Sequence, residues 1–149
     1  MIALQRTSST NPDFIELVQQ LDAYLAEKDG PEHAFYAQYN KVDLIPAVIV
    51  AYEHEIPVGC GAIKPYSQEA MEVKRMYTLP TARKKGVAGQ VLSELENWAR
   101  EMGYQSCVLE TGKRQTEAVA FYHKMGYRAT PNYGQYANVE NSICFEKAL

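Results

Sequence analysis

Arg83-Lys84-Lys85-Gly86-Val87-Ala88-Gly89 is the stretch of this chain whose residue types and spacing speak most directly of chemistry. Just after the three cations, apolar residues begin to recur at helical spacing (Val87, Val91, Leu92, Leu95), so the cations precede a helix start. A helix amino end carries roughly half a positive charge and favours acids rather than bases. An anion resolves the conflict. Free N–H groups at a helix start bind phosphate, Gly86, Ala88 and Gly89 let it approach, and lysine and arginine add charge-assisted bonds. The expected guest is a pyrophosphate; the alternative is a solvated basic loop followed by a frayed helix. Two other glycine-containing stretches fail as phosphate loops. In "ETGKRQ", Arg114 replaces the hydroxyl residue a P-loop needs and Cys107 stands where its first glycine belongs. "VGCGAIK" precedes no helix and lacks a third glycine.

These residues need a scaffold. With 149 residues, 46% of them hydrophobic, the chain suits one domain with one core, spanning 1–149. Its 15 basic and 18 acidic side chains give a net charge of −3, which does not favour a general nucleic-acid or membrane binder. The amino end has no secretion-signal pattern, and no run is long enough to span a membrane. Cys60, Cys107 and Cys144 read as buried free thiols in a reducing cytoplasm, and neither they nor His33, His54 and His123 have metal-ligand spacing.

Residues 2–6 read as a first strand. Asn11 is a helix cap with Pro12 at the first helical position, and Phe14, Leu17, Val18, Leu21 and Leu25 form the stripe of that helix. Asp29-Gly30-Pro31 ends it, and a shorter helix is expected through "EHAFYAQYN". Three strands follow as an antiparallel meander, at 47–53, 58–66 and 70–79, the last stopped by Pro80. The helix over 87–102 is expected to bury Val87, Val91, Leu92, Leu95, Trp98 and Met102; a strand at 106–111 comes next. A helix over 116–125 should bury Ala118, Phe121, Tyr122 and Met125. Met-Gly-Tyr occurs at 102–104 and again at 125–127, which reads as one helix exit used twice. A strand near 127–133, a loop and a last strand at 142–147 complete the chain. The order implies a mixed α/β or α+β sheet with helices on its faces.

The segment 83–88 fits Gln/Arg-x-x-Gly-x-Gly/Ala, and "EAVAFYHKMGY" fits Ala-x-x-Phe/Leu-Tyr-x-x-x-Gly-Phe/Tyr. With the strand "VKRMYTLP" before the loop and the long helix after it, the chain resembles the GNAT superfamily of N-acetyltransferases over essentially its whole length. The resemblance implies an α/β (α+β) fold with a mixed, mostly antiparallel central sheet of about six to seven strands and helices on both faces. It implies acetyl-CoA as cosubstrate, no metal, and often a homodimer. By position, the amides of Lys84, Lys85, Gly86, Val87, Ala88, Gly89 and Gln90 would hold the pyrophosphate, aided by the Arg83 and Lys85 side chains. Backbone groups of Met76, Tyr77 and Thr78 would bond the pantetheine as an added strand. Tyr122 falls where the family often has a general acid, and would protonate the leaving thiolate or orient the thioester; its other reading is a core tyrosine. Lys84 stands where many members have glycine, and Gln115 where they often have asparagine.

The acceptor is implied to be an amine of a small molecule or peptide. A free lysine titrates at about 10.4, so something must take its proton. Glu72, on the strand leading to the loop, is the first candidate base, with a surface pair to Lys74 or Arg75 as the alternative; Glu110 is the reserve. Strict alternation would put Glu72, Lys74, Met76 and Thr78 on one side and Val73, Arg75, Tyr77 and Leu79 on the other. Tyr36, Tyr39, Tyr133 and Tyr136 lie in segments that border the acceptor groove in similar proteins. The expectation is an acetyl-CoA-dependent N-acetyltransferase working by direct attack in a ternary complex. A non-catalytic acyl-CoA-binding sensor or regulatory domain is the main alternative, and a plain nucleotide binder the third.

Overall fold

The computed structural model describes residues 1–30 and 44–149. The strands are β1 (Ile2–Thr7), β2 (Ala47–Glu53), β3 (Ile56–Pro65), β4 (Ala70–Thr78), β5 (Ser106–Gly112), β6 (Arg128–Thr130) and β7 (Ser142–Ala148). The α-helices among the described residues are α1 (Pro12–Asp29), α2 (Val87–Glu101) and α3 (Thr116–Lys124). Those strands form one sheet in the order β1-β2-β3-β4-β5-β7-β6. Every pairing is antiparallel except β4 with β5, which α2 bridges as a crossover. The mixed, mostly antiparallel sheet expected of the sequence is therefore the architecture observed. The helix expected through "EHAFYAQYN", with His33, Tyr36 and Tyr39, lies outside the described residues.

Both faces of the sheet are covered. On one, Phe14, Leu17 and Val18 of α1 pack on Val48, Val50, Cys60 and Ala62. On the other, Val87, Val91, Leu92, Leu95 and Ala99 of α2 pack on Ile49, Ala51, Ile63 and Val73. Burial on both sides is why β2 is an unbroken apolar run. α1 begins as its sequence requires: Asn11 Oδ1 accepts from the amides of Asp13 (2.8 Å) and Phe14 (3.1 Å), and Pro12 opens the helix. The two Met-Gly-Tyr exits are alike: Tyr104 N–H donates to Ala99 O and Tyr127 N–H to Tyr122 O, each at 3.0 Å, closing the helix end in the same way.

Some expectations fail locally. Met102 is 43% exposed because it is the C-cap of α2 rather than a member of its buried stripe. Trp98 is only partly buried, with its ring under the Arg6 guanidinium at 4.8 Å. The strand expected near 127–133 shrinks to Arg128–Thr130 at the sheet edge, where Pro131 cannot donate to a ladder.

Candidate functional site

β4 and β5 pair only at Ala70↔Ser106, Met71↔Cys107 and Glu72↔Val108. Beyond Glu72 the two strands separate, so β4 keeps β3 on one edge and, among the described residues, has no strand partner on the other. Such an edge offers backbone donors and acceptors to an extended ligand. Met76, Tyr77 and Thr78 lie along it.

A bulge shapes this part of β4. Cys60 pairs with Tyr77 and Ala62 with Lys74, so Gly61 alone faces both Arg75 and Met76. Arg75 takes φ +60°, the left-handed region. The extra residue breaks the expected alternation. Met76 points at Gly61 and α2, where a Cβ on Gly61 would lie 2.9 Å from both Val91 Cγ1 and Leu95 Cδ1. Arg75 turns to the opposite face and donates from Nη1 to Asp22 Oδ1 of α1 at 2.9 Å. Tyr77 also packs on the α1 side, and Lys74 lies across from Ala62 of that cluster. The Gly-x-Gly of β3 thus serves packing: a Cβ on Gly59 would meet Val87 Cγ1 at 2.8 Å.

The loop after β4 leads into α2 through Gly86, whose φ of +81° makes it a left-handed N-cap with no side-chain cap bond. The first turn of α2 holds no acid. Among the described residues, the N–H groups of Lys84, Lys85, Gly86, Val87, Ala88 and Gly89 donate to no loop or cap acceptor, whereas Gln90 N–H is used by Gly86 O at 3.1 Å. Lys84 has φ +65°, a left-handed conformation that glycine would adopt at no steric cost. Arg83 is anchored: Nε donates to Thr78 O at 3.1 Å, and its guanidinium lies 5.5 Å from the Tyr24 ring and 6.0 Å from that of Tyr77. Lys85 Nζ reaches Glu53 Oε1 at 3.4 Å in an exposed pair of little energetic weight. The conflict between cations and helix dipole is therefore eased in the free protein while the amides stay available.

At the point of the splay a cleft is lined by Glu72, Lys74, Arg75 and Met76 of β4 and by Glu110, Thr111 and Gly112 of β5. Gln115, Ala118 and Tyr122 flank it, with Leu21 and Leu25 of α1 and Tyr136. Tyr122 is 8% exposed, and burial, followed by the charge of Glu110, pushes its phenol above the ordinary tyrosine range. Glu72 is 5% exposed; its Oε2 accepts from Tyr133 OH at 2.7 Å and its Oε1 lies 3.6 Å from Lys74 Nζ. The surface pair expected as the alternative is thus a buried one. Burial pushes the Lys74 ammonium below the ordinary lysine value, against the opposing pull of Glu72. Glu110 Oε2 accepts from Ser142 Oγ at 2.7 Å. Tyr133 stacks edge-on against Tyr66 (4.8 Å) and Tyr136 (5.9 Å).

The structure brings Glu72, Glu110, Tyr122, Gln115 and Tyr136 together around one cleft and sets Tyr133 on Glu72. Tyr36 and Tyr39 lie outside the described residues. Arg75, Leu21 and Leu25 also line the cleft and are not among the residues the sequence singles out for the site. The leucines looked like any helix stripe, and nothing within β4 marks the bulge that swings Arg75 into the cleft. The one signal was Gly61 on the neighbouring strand.

Residues 10–127 match the Acetyltransferase (GNAT) family. The chain is 32% identical to an IAA acetyltransferase of Azospirillum brasilense, over 99% of this chain and 98% of that one. An acyl-CoA N-acyltransferase structure from Klebsiella pneumoniae superposes with a TM-score of 0.84 at 27% identity, covering 100% of this chain and 98% of the other. A GNAT family acetyltransferase from Elizabethkingia anophelis with acetyl-CoA bound shares the fold, with a TM-score of 0.69 at 19% identity over 99% and 98% of the two chains. This chain belongs to the GNAT family of acetyltransferases. Among the described residues no helix is long and apolar enough to cross a membrane, and no group of three or more His, Cys, Asp or Glu could hold a metal ion.

Proposed function

We propose that this protein transfers the acetyl group of acetyl-CoA to a primary amine of a small molecule or peptide, by direct attack within a ternary complex. The observation that carries the reading is the splay of β4 from β5: among the described residues it runs a strand edge without a strand partner straight into a helix start with free amides. An extended pantetheine fits the first and a pyrophosphate the second. The acetyl-CoA in the fold neighbour from Elizabethkingia anophelis supports the same ligand here.

Bound acetyl-CoA would supply an electrophilic thioester carbonyl. The chain's own residues would do the rest. The amides of 84–89 hold the phosphates, with Lys84 and Lys85 adding charge. Arg83, tied to Thr78 O, positions the loop on the end of β4. Gln115 lies at the start of α3 on the cleft wall. An N–H among Met76, Tyr77 and Thr78 donates to the carbonyl oxygen as charge develops on it. Glu72, directly or through water, takes the proton of the ammonium, and Glu110 is the reserve base. Tyr122, held neutral by burial, gives its proton to the leaving thiolate.

Thiol release from acetyl-CoA over amino acids, polyamines, aminoglycosides and peptides tests the reading. Amine-dependent release is expected. Tight acetyl-CoA binding with no release for any amine would instead favour a sensor domain. Equal affinity for ADP and coenzyme A would favour a plain nucleotide binder, because ADP lacks the pantetheine that β4 should bond.

A further inference from the structure

We infer that the acceptor is an amine that also carries a carboxylate, with Arg75 as the residue that reads that carboxylate and Leu21 and Leu25 as the wall for an apolar portion beside it. This rests on the acetyl-transfer reading of the cleft and narrows its acceptor to a class, of which an apolar α-amino acid is the simplest member.

Arg75 is 7% exposed and lines the cleft. Its Nη1 is satisfied by Asp22, yet its Nη2 is, among the described residues, a fully buried side-chain nitrogen with no hydrogen-bond partner. Burying a charged donor without an acceptor is costly, and guanidinium is built to grip carboxylate with two parallel N–H groups. The backbone is strained to put it there, since Arg75 sits at a positive φ in the bulge. The bulge also places Arg75 on the same face as Lys74 and Glu72, with Glu110 across the cleft. The cleft thus holds cationic donors and carboxylates together, Arg75, Lys74 and Glu72 on β4 and Glu110 on β5, which matches a zwitterion: its carboxylate at Arg75, its ammonium at Glu72 or Glu110. Leu21 and Leu25 of α1, the helix whose Asp22 holds Arg75, add an apolar stretch to the lining.

The test compares leucine, methionine and phenylalanine with their primary amides, titrated calorimetrically into the protein saturated with coenzyme A. At least one acid should bind about 10- to 100-fold more tightly than its amide, the range for a charge-assisted hydrogen-bond pair. Arg75→Gln should erase the difference, and Arg75→Lys should keep part of it, charge being retained and the fork lost. Unchanged coenzyme A affinity and a cooperative thermal transition certify the folded variants, whose melting temperature should fall with loss of the Asp22 pair; if Arg75→Gln does not fold, the wild-type comparison and Arg75→Lys decide. Equal binding of acid and amide, no binding of any acid, or an undiminished preference in Arg75→Gln overturns the inference. Thiol release is read separately. Release from amides and acids alike leaves acetyl transfer standing and removes the carboxylate, whereas Arg75-dependent binding without release keeps the carboxylate and removes acetyl transfer.

Discussion

Gly86 allows the backbone and the charge at the phosphate loop to be tested apart. Its φ is +81°, and a Cβ built there meets nothing within 4 Å. Gly86→Ala should therefore cost only the left-handed conformation, about 1–2 kcal/mol. For a chain of this size that lowers Tm by roughly 2–4 °C per kcal/mol. Gly86→Glu has the same backbone cost, so its Tm should fall within about 2 °C of that of the alanine variant. It also sets a carboxylate beside the proposed pyrophosphate. At roughly 6 Å and an effective dielectric of about 20, one like-charge pair costs ~3 kcal/mol. Calorimetric titration with coenzyme A should thus find Gly86→Glu at least ~100-fold weaker than Gly86→Ala. Equal affinities in two variants of equal Tm would refute the phosphate assignment, since charge at this point would then not matter.

Tyr122→Phe should lower kcat by ~10²- to 10⁴-fold with little change in acetyl-CoA affinity, and unchanged turnover would remove its acid role. Because burial raises its pKa, no loss of activity below about pH 10 should trace to Tyr122; a basic limb near pH 9 that vanishes in the phenylalanine variant would contradict this. Glu72→Gln should depress kcat/KM by ~10²-fold or more and exceed the effect of Glu110→Gln; the reverse order would move the base to Glu110. Burial pushes Cys60 from 9.0 up to about 12 and Cys107 from 9.0 up to about 11. The folded chain then holds protons that the unfolded chain releases above about pH 9, so stability is intact below that pH and declines through pH 9–12. A Tm that stays flat across that window would contradict the burial of these thiols. Coenzyme A should raise Tm by mass action and order the 80–86 loop; protease cutting there that coenzyme leaves unchanged would speak against it.

The elements were legible because their signals are local. β2 runs over the predicted 47–53, α2 and α3 end one residue short of their predicted limits, and Asn11 caps α1 as its side chain suggests. The helix start with free amides was legible for the same reason, since Gly86 and its cations are contiguous. On the proposed acceptor side, Glu72, Glu110, Tyr133 and Tyr136 were legible as candidates, but which of them meet was not. Tyr133 meets Glu72 across 61 positions of sequence because it lies in the connection from β6 to β7, whose second strand pairs with β5, and no spacing rule reports that. Arg75 was hidden for a different reason. A bulge is a property of two strands, and its mark, Gly61, lies on the strand that does not bulge. Period-two reading, which left the strand unoriented, therefore grouped Met76 with Glu72 and Lys74, and Arg75 and Tyr77 with Val73, whereas the bulge exchanges them.

The most direct measurement for the central claim is thiol release from acetyl-CoA by wild-type protein, with each amine present and absent and the acylated amine identified by mass spectrometry. Amine-dependent release, with the acetyl group recovered on nitrogen and the rate strongly reduced in Tyr122→Phe, is the predicted result. Acetyl-CoA that binds tightly yet stays intact with every amine would contradict it.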